Sequence, residues 1–226
     1  MNAAAEGETD TVKLLIASGA DRHFVKKSTG DTLVILAAAY ARHETLAYLL
    51  SLPEAGIDTQ NNSGFSALSY TASGDDIEIV KMLLDHGAKV EMVSDIGGTP
   101  LMSACAAGNV DIAALLLDRG ASVSSLTGDG STPLHTAVSS GDRNVVELLL
   151  SRGADTNATD DQNLDPLGVA ESVGMTIITD MIRRAIDKRA QCHAFAMGQQ
   201  KLIAEEWSRI RFTTRIRIEK PTTRPY

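Results

Sequence analysis

Leu68, Leu101, Leu134 and Leu167 follow one another at a constant step of 33. The apolar triplets ending at Ile16, Leu50, Leu84, Leu117 and Leu150 keep the same phase, at spacings of 34, 34, 33 and 33. Gly87-Ala88, Gly120-Ala121 and Gly153-Ala154 recur at 33, with an earlier copy at Gly19-Ala20. A period of this length, held over five units, marks a stack of small structural units rather than one globular core. A single unit of that size cannot bury its own apolar face, so each must be covered by its neighbours.

The units share an internal grammar. Gly130-Ser131-Thr132-Pro133-Leu134-His135 opens the clearest copy, and Gly97-Gly98-Thr99-Pro100-Leu101 the next. Glycine permits a turn conformation that other residues resist. Threonine is a good helix N-cap, and proline suits the first helical position, where no N–H is needed. A short helix of small residues follows, such as Ala104-Cys105-Ala106-Ala107, and ends near Gly108 or Gly141. A second helix carries Val145, Val146, Leu148, Leu149 and Leu150 at helical spacing. Gly153-Ala154-Asp155 then closes it and begins a hairpin into the next unit.

In these motifs the chain resembles the ankyrin-repeat family, most completely over residues 130–157. Six units lie near 1–27, 28–60, 61–93, 94–126, 127–159 and 160–187. The resemblance implies an all-α ankyrin solenoid over 1–187, built of paired short helices with β-hairpin loops. It also implies a non-catalytic module that binds another protein on its concave side. Met1 falls inside the first helix of unit one, so that unit lacks its opening turn and is expected to be incomplete. Unit two has Tyr40-Ala41 where the pattern puts a small residue and glycine, and its exit, Ser51 to Asp58, is one residue longer. Unit six, with Asp165-Pro166-Leu167, is degenerate and reads as a cap.

The leucines and valines of the pattern are committed to stacking, so function must use the positions the pattern leaves free. Those are the hairpin tips and the exposed side of the first helices. The chain has only four Phe and four Tyr. Aromatic side chains bury much area for few rotatable bonds and make good anchors. Tyr40, Phe65, Tyr70, Ile96 and Met102 therefore form the expected apolar centre of a partner site, flanked by Asp129 and Ser131. Filling space between helices is the competing role for the two tyrosines. Asp31, Asp95, Asp129, Asp160 and Asp161 rim the region and would suit a basic partner segment; solubility alone would also explain them.

The charge is uneven. Residues 1–182 carry 10 Lys and Arg against 25 Asp and Glu, whereas residues 183–226 carry 11 against 4. Residues 188–226 leave the repeat as a basic C-terminal extension, read as a helix followed by a strand-like or disordered piece. Arg209 to Ile218 alternates basic and apolar residues with a period of two, which argues for a strand. A lone strand needs a partner. Trp207, Arg209, Arg211, Arg215 and Arg217 are the expected tail contacts. An adaptor that docks to a larger assembly through this tail is the alternative function. Nucleic acid is the weaker partner class, because no aromatic interleaving accompanies the arginines.

Little else in the chain points to chemistry. There is no phosphate loop, no Gly-x-Ser-x-Gly and no metal-ligand spacing, so no cofactor, metal or enzymatic activity is expected. His135 sits at the family's structural histidine position. Cys105 replaces a small packing residue. Asn157 resembles the asparagine that ankyrin-domain hydroxylases modify, although a hydrogen-bonding role inside the hairpin is the preferred explanation. Two cysteines are too few for a disulfide framework, and no apolar run reaches the ~18 residues of a membrane span. The expected setting is the cytoplasm, with the nucleus as second choice.

Overall fold

The computed structural model describes residues 1–192 together with 194, 195, 197 and 200. A first compact unit covers Met1–Ile182 and a second begins at Arg183. The first is a stack of helix pairs: α1 (Asn2–Glu6) with α2 (Thr9–Ala17), α3 (Leu33–Ala39) with α4 (His43–Ser51), and α5 (Ala67–Thr71) with α6 (Ile77–Asp85). Then come α7 (Pro100–Ala107) with α8 (Val110–Asp118), and α9 (Pro133–Ser140) with α10 (Arg143–Ser151). α11 (Pro166–Val173) is followed by helical residues 176–182. The first unit closes at Ile182. The described residues from 183 on are also helical.

The helices begin and end where the sequence chemistry requires. The hydroxyls of Thr32, Ser66, Thr99 and Thr132 and the carboxylate of Asp165 accept backbone N–H bonds at the starts of α3, α5, α7, α9 and α11. Each such cap is worth about 1 kcal/mol. Asp76 and Asp142 do the same for α6 and α10. Gly108 and Gly141 end α7 and α9 in the left-handed conformation, at φ 74° and 77°. Ala41 occupies the equivalent place after α3 at φ 53°, without a glycine's freedom.

First helices stack on first helices in the order α1, α3, α5, α7, α9, α11. Second helices do likewise, α2 on α4, α6 on α8, and α8 on α10. Leu68, Leu101 and Leu134 are fully buried in the first row, and Leu83, Leu116 and Leu149 in the second. Each contributes about 1.5–3 kcal/mol by leaving water. Leu167, in phase with them, is only half-buried, as a worn last unit should show. Outside the core, Arg119 pairs with Asp85 and Arg152 with Asp118, both at 2.9 Å, linking successive units.

Among the described residues there is no strand, and the expected β-hairpins are tight turns. Asn61, Ser94, Thr127 and Asp160, one per unit in the phase of the repeat, begin these turns. In each, the backbone N–H donates to the carbonyl four residues on: Phe65, Gly98, Ser131 and Leu164. The turns are also bonded to one another. Asn62 N–H donates to Thr29 O, Asp95 to Ser63 O, Gly128 to Ile96 O and Asp161 to Asp129 O, at 2.9–3.3 Å. Gly64 and Gly97 permit this approach: a Cβ on either would run into the backbone nitrogen of the next turn. Thr132 and His135 form a reciprocal cap, and His135 Nε2 reaches the carbonyl oxygen of Leu164 in the next unit at 3.1 Å.

The longer exit of unit two opens the outer side of the stack. It forms a cavity of about 520 Å³ lined in part by Leu50, Leu52, Ile57, Asp58 and His86. Glu54 takes a left-handed φ of 54° to make the detour.

Candidate partner-binding face

The side of the stack formed by the turns and the first helices carries a groove between units three and four. Its volume is about 420 Å³, and its walls are Phe65, Ser69, Tyr70, Ser73, Ser103, Ala106 and Ala107. Asn61 positions Phe65: the Asn61 side-chain oxygen accepts the Phe65 N–H at 3.1 Å, and the Asn61 N–H donates back to Phe65 O at 2.9 Å. Phe65 is half-buried and Tyr70, on α5, is 47% exposed. Ala106 and Ala107, both exposed on α7, leave room opposite the rings because their side chains are short. Ser69 is not available to a partner through its hydroxyl, which bonds Ser66 and its backbone. The groove is an apolar slot with two aromatic rings on one side and small residues on the other.

The expected site residues distribute unevenly over this face. Phe65 and Tyr70 come together in the groove. Tyr40, 56% exposed at the end of α3, and Ile96, 71% exposed at a turn tip, do not line it. Met102 is corrected. It is 3% exposed in the core, because the first-helix position after the in-phase leucine turns inward beside Leu101. His135, one unit on in the same phase, is likewise buried. Ser131 is half-exposed, and its N–H donates to Thr127 Oγ1 at 3.0 Å. Asp129 is exposed at its turn tip. The Thr127 hydroxyl, then the Ser131 N–H, hold its carboxyl below the usual carboxylate range. Both bonds fall on Oδ1.

Two exposed aliphatic residues were missed in the sequence. Val93 and Leu126, one repeat period apart, stand just before their turns at 51% and 59% exposure. Gln60 and Thr159 occupy the same phase in the neighbouring units, so the signal was an aliphatic residue at a position polar elsewhere. Asn157 is exposed, and its backbone N–H donates to Asp155 Oδ1 at 3.0 Å. Trp207, Arg209, Arg211, Arg215 and Arg217 lie outside the described residues.

Burial pushes the Cys105 thiol up to about 12. Among the described residues, no group of three His, Cys, Asp or Glu side chains could hold a metal ion. None of their helices is long and apolar enough to cross a membrane.

Paired helices stacked through bonded turns, with an apolar groove on the turn side, define a helical-repeat protein of the interaction type. The chain belongs to the ankyrin-repeat family: residues 1–94 and 91–160 match the family pattern described as "Ankyrin repeats (3 copies)". It is similar to the ankyrin repeat and KH domain-containing protein mask-1 of Caenorhabditis elegans, 33% identical over 105 residues and 46% of this chain. It is also similar to alpha-latrocrustotoxin-Lt1a of Latrodectus tredecimguttatus, 32% identical over 87 residues and 38% of this chain. A third relative is the human BCL-6 corepressor-like protein 1, 31% identical over 85 residues, also 38% of this chain. The matched stretches span 4%, 6% and 5% of those three proteins. Ankyrin repeats mediate protein–protein interaction and form a non-enzymatic module.

Proposed function

We propose that this chain binds a partner protein on its concave face, without catalysing a reaction, by seating an apolar side chain in the groove between Phe65, Tyr70 and Ala106. The groove itself carries this reading: it is about 420 Å³ in volume, and Tyr70, Ser73, Ala106 and Ala107 on its walls are exposed and lie outside the buried core. Exposed aromatic rings at such a place offer binding energy that the fold does not consume. Tyr40, Ile96, Val93 and Leu126 extend the contact surface beyond the groove.

The partner segment is basic. Over residues 90–182 there are 13 Asp and Glu against three Lys and Arg. Of those three, Arg119 and Arg152 are engaged with Asp85 and Asp118. Exposed Asp95, Asp129 and Asp161 stand at successive turns. Opposite charge along that row would speed encounter and fix orientation more than it would add affinity. A cytoplasmic setting fits a chain whose two cysteines, Cys105 and Cys192, are both free thiols.

The test is affinity capture from cell extract with the full chain and with Phe65→Ala. A partner retained by the full chain and lost at least tenfold by Phe65→Ala supports the reading. An unchanged set of captured proteins overturns it.

A further inference from the structure

We propose that the cavity on the outer side, between units two and three, is a second binding site that takes an arginine side chain of a partner protein. The repeat shows what is different at this joint. Arg119 and Arg152 each reach back to a carboxylate of the unit before, Asp85 and Asp118, at 2.9 Å. In the same phase one unit earlier stand His86 and Ser51. Ser51 has no charge to offer, and its hydroxyl donates to Tyr48 O at 2.6 Å. Ala88, Ala121 and Ala154 close the exits of the next three units, at 7%, 8% and 0% exposure. The longer exit of unit two leaves Ala55 only half-buried. α2 packs on α4, α6 on α8 and α8 on α10, whereas α4 and α6 approach each other least closely. The cavity of about 520 Å³ opens where that row parts. Units two and three have a helix pair on either side, so the opening belongs to the interior of the stack.

The chemistry of the walls selects the occupant. Leu50, Leu52 and Ile57 give the cavity an aliphatic lining, and no lysine or arginine lines it. Its titratable groups are Glu54, Asp58 and His86. His86 Nδ1 lies 2.8 Å from Met82 O. A carbonyl only accepts, so Nδ1 carries the hydrogen and Nε2 of the neutral ring is left as an acceptor. Asp58 is already engaged, by the Lys89 N–H at 2.9 Å and the Lys89 ammonium at 3.8 Å. Glu54 is exposed, and its carboxylate has no partner among the described residues. An aliphatic surface edged by a free carboxylate and an accepting ring nitrogen suits a side chain with an apolar stem and a donor-only head. Arginine matches best, because its guanidinium is a planar fork of donors, weakly hydrated and always charged. A guanidinium so placed joins units two and three as Arg119 and Arg152 join the later ones. The volume falls within the about 300–1,000 Å³ of ligand clefts, room for the arginine and part of its own main chain. The site shares no residue with the Phe65 groove and does not depend on it.

Amide NMR on the isotope-labelled full chain tests this by titration with Nα-acetyl-arginine amide. Nα-acetyl-citrulline amide, of the same shape without the charge, and free arginine are titrated beside it. One side chain at an open site binds weakly, so a dissociation constant on the order of 1–10 mM is expected. The amides of Ala55, Gly56, Thr59 and His86 should shift and saturate with the capped arginine. Replacing the probe by citrulline, or Glu54 by glutamine (Glu54→Gln), should each weaken binding roughly threefold or more. Phe65→Ala should leave it unchanged. Amides away from the cavity report the fold of the Glu54 variant; if they move, Glu54→Gly, which suits the φ of 54°, takes its place. Absence of saturation at the cavity amides overturns the proposal. So does citrulline binding as tightly as arginine, or binding that the Glu54 variant leaves unchanged. A preference for free arginine over the capped form also overturns it, since the cavity would then be a small-molecule site.

Discussion

The imidazole of His135 ties two units together: Nδ1 lies 2.8 Å from Thr132 Oγ1 and Nε2 lies 3.1 Å from the carbonyl oxygen of Leu164. Its ring is 2% exposed, so water cannot replace either partner. His135→Ala should destabilise the protein by about 1–2 kcal/mol, the loss of the reciprocal cap and of one bond to the next unit, while Leu164 O keeps the Asp160 N–H. Chemical denaturation would measure it. Local hydrogen exchange should rise first around Leu164, because the bond crosses from unit five to unit six.

Ala41→Gly should stabilise. Ala41 sits at φ 53°, where units four and five use Gly108 and Gly141 at φ 74° and 77°. The left-handed conformation costs an alanine roughly 1–2 kcal/mol, part of which glycine returns as unfolded-chain entropy. A rise in Tm of about 2–4 °C is expected for a chain of this length.

Phe65 and Met102 should separate binding from stability. Met102→Ala removes a buried side chain and should cost about 2–4 kcal/mol in denaturation. Phe65→Ala touches a half-buried groove wall, so its unfolding midpoint should move little while partner affinity falls at least tenfold. Side-by-side unfolding and binding measurements distinguish them.

The two thiols should differ in reactivity. Cys105 is fully buried, with burial raising it from 9.0 to about 12, whereas Cys192 is exposed. A thiol-specific chromophore should titrate one cysteine in the native protein and two after unfolding. A folded pKa above the unfolded one also sets the sign at high pH. The neutral thiol's contribution is complete below pH 9 and is lost as pH rises from 9.0 toward about 12. Cys105→Ala should flatten that part of the stability curve.

The stack was legible because its signals are chemical and repeated. Thr99-Pro100 and Thr132-Pro133 announced helix starts, Gly108 and Gly141 announced ends, and leucines at a constant step announced the core. The face was less legible because one helical turn decides it. Met102 and Ser103 are adjacent in sequence, yet one enters the core and the other lines the groove. A stripe rotated by one residue exchanges them, and α7, with Ser103 as its one polar residue, has too little polar contrast to fix that rotation from sequence. Val93 and Leu126 escaped for a different reason. The turn before which each stands has no periodicity of its own, and only comparison across units reveals the aliphatic substitution.

The bonds from Asn62 to Thr29, Asp95 to Ser63, Gly128 to Ile96 and Asp161 to Asp129 turn five separate loops into a graduated ruler. Its marks cannot slide, since each is fastened to the next through main chain. A ligand that touches two marks must therefore carry its own contacts a whole number of repeats apart, and no side-chain adjustment can compensate for a misplaced one. Length, as much as composition, becomes something this protein can select for.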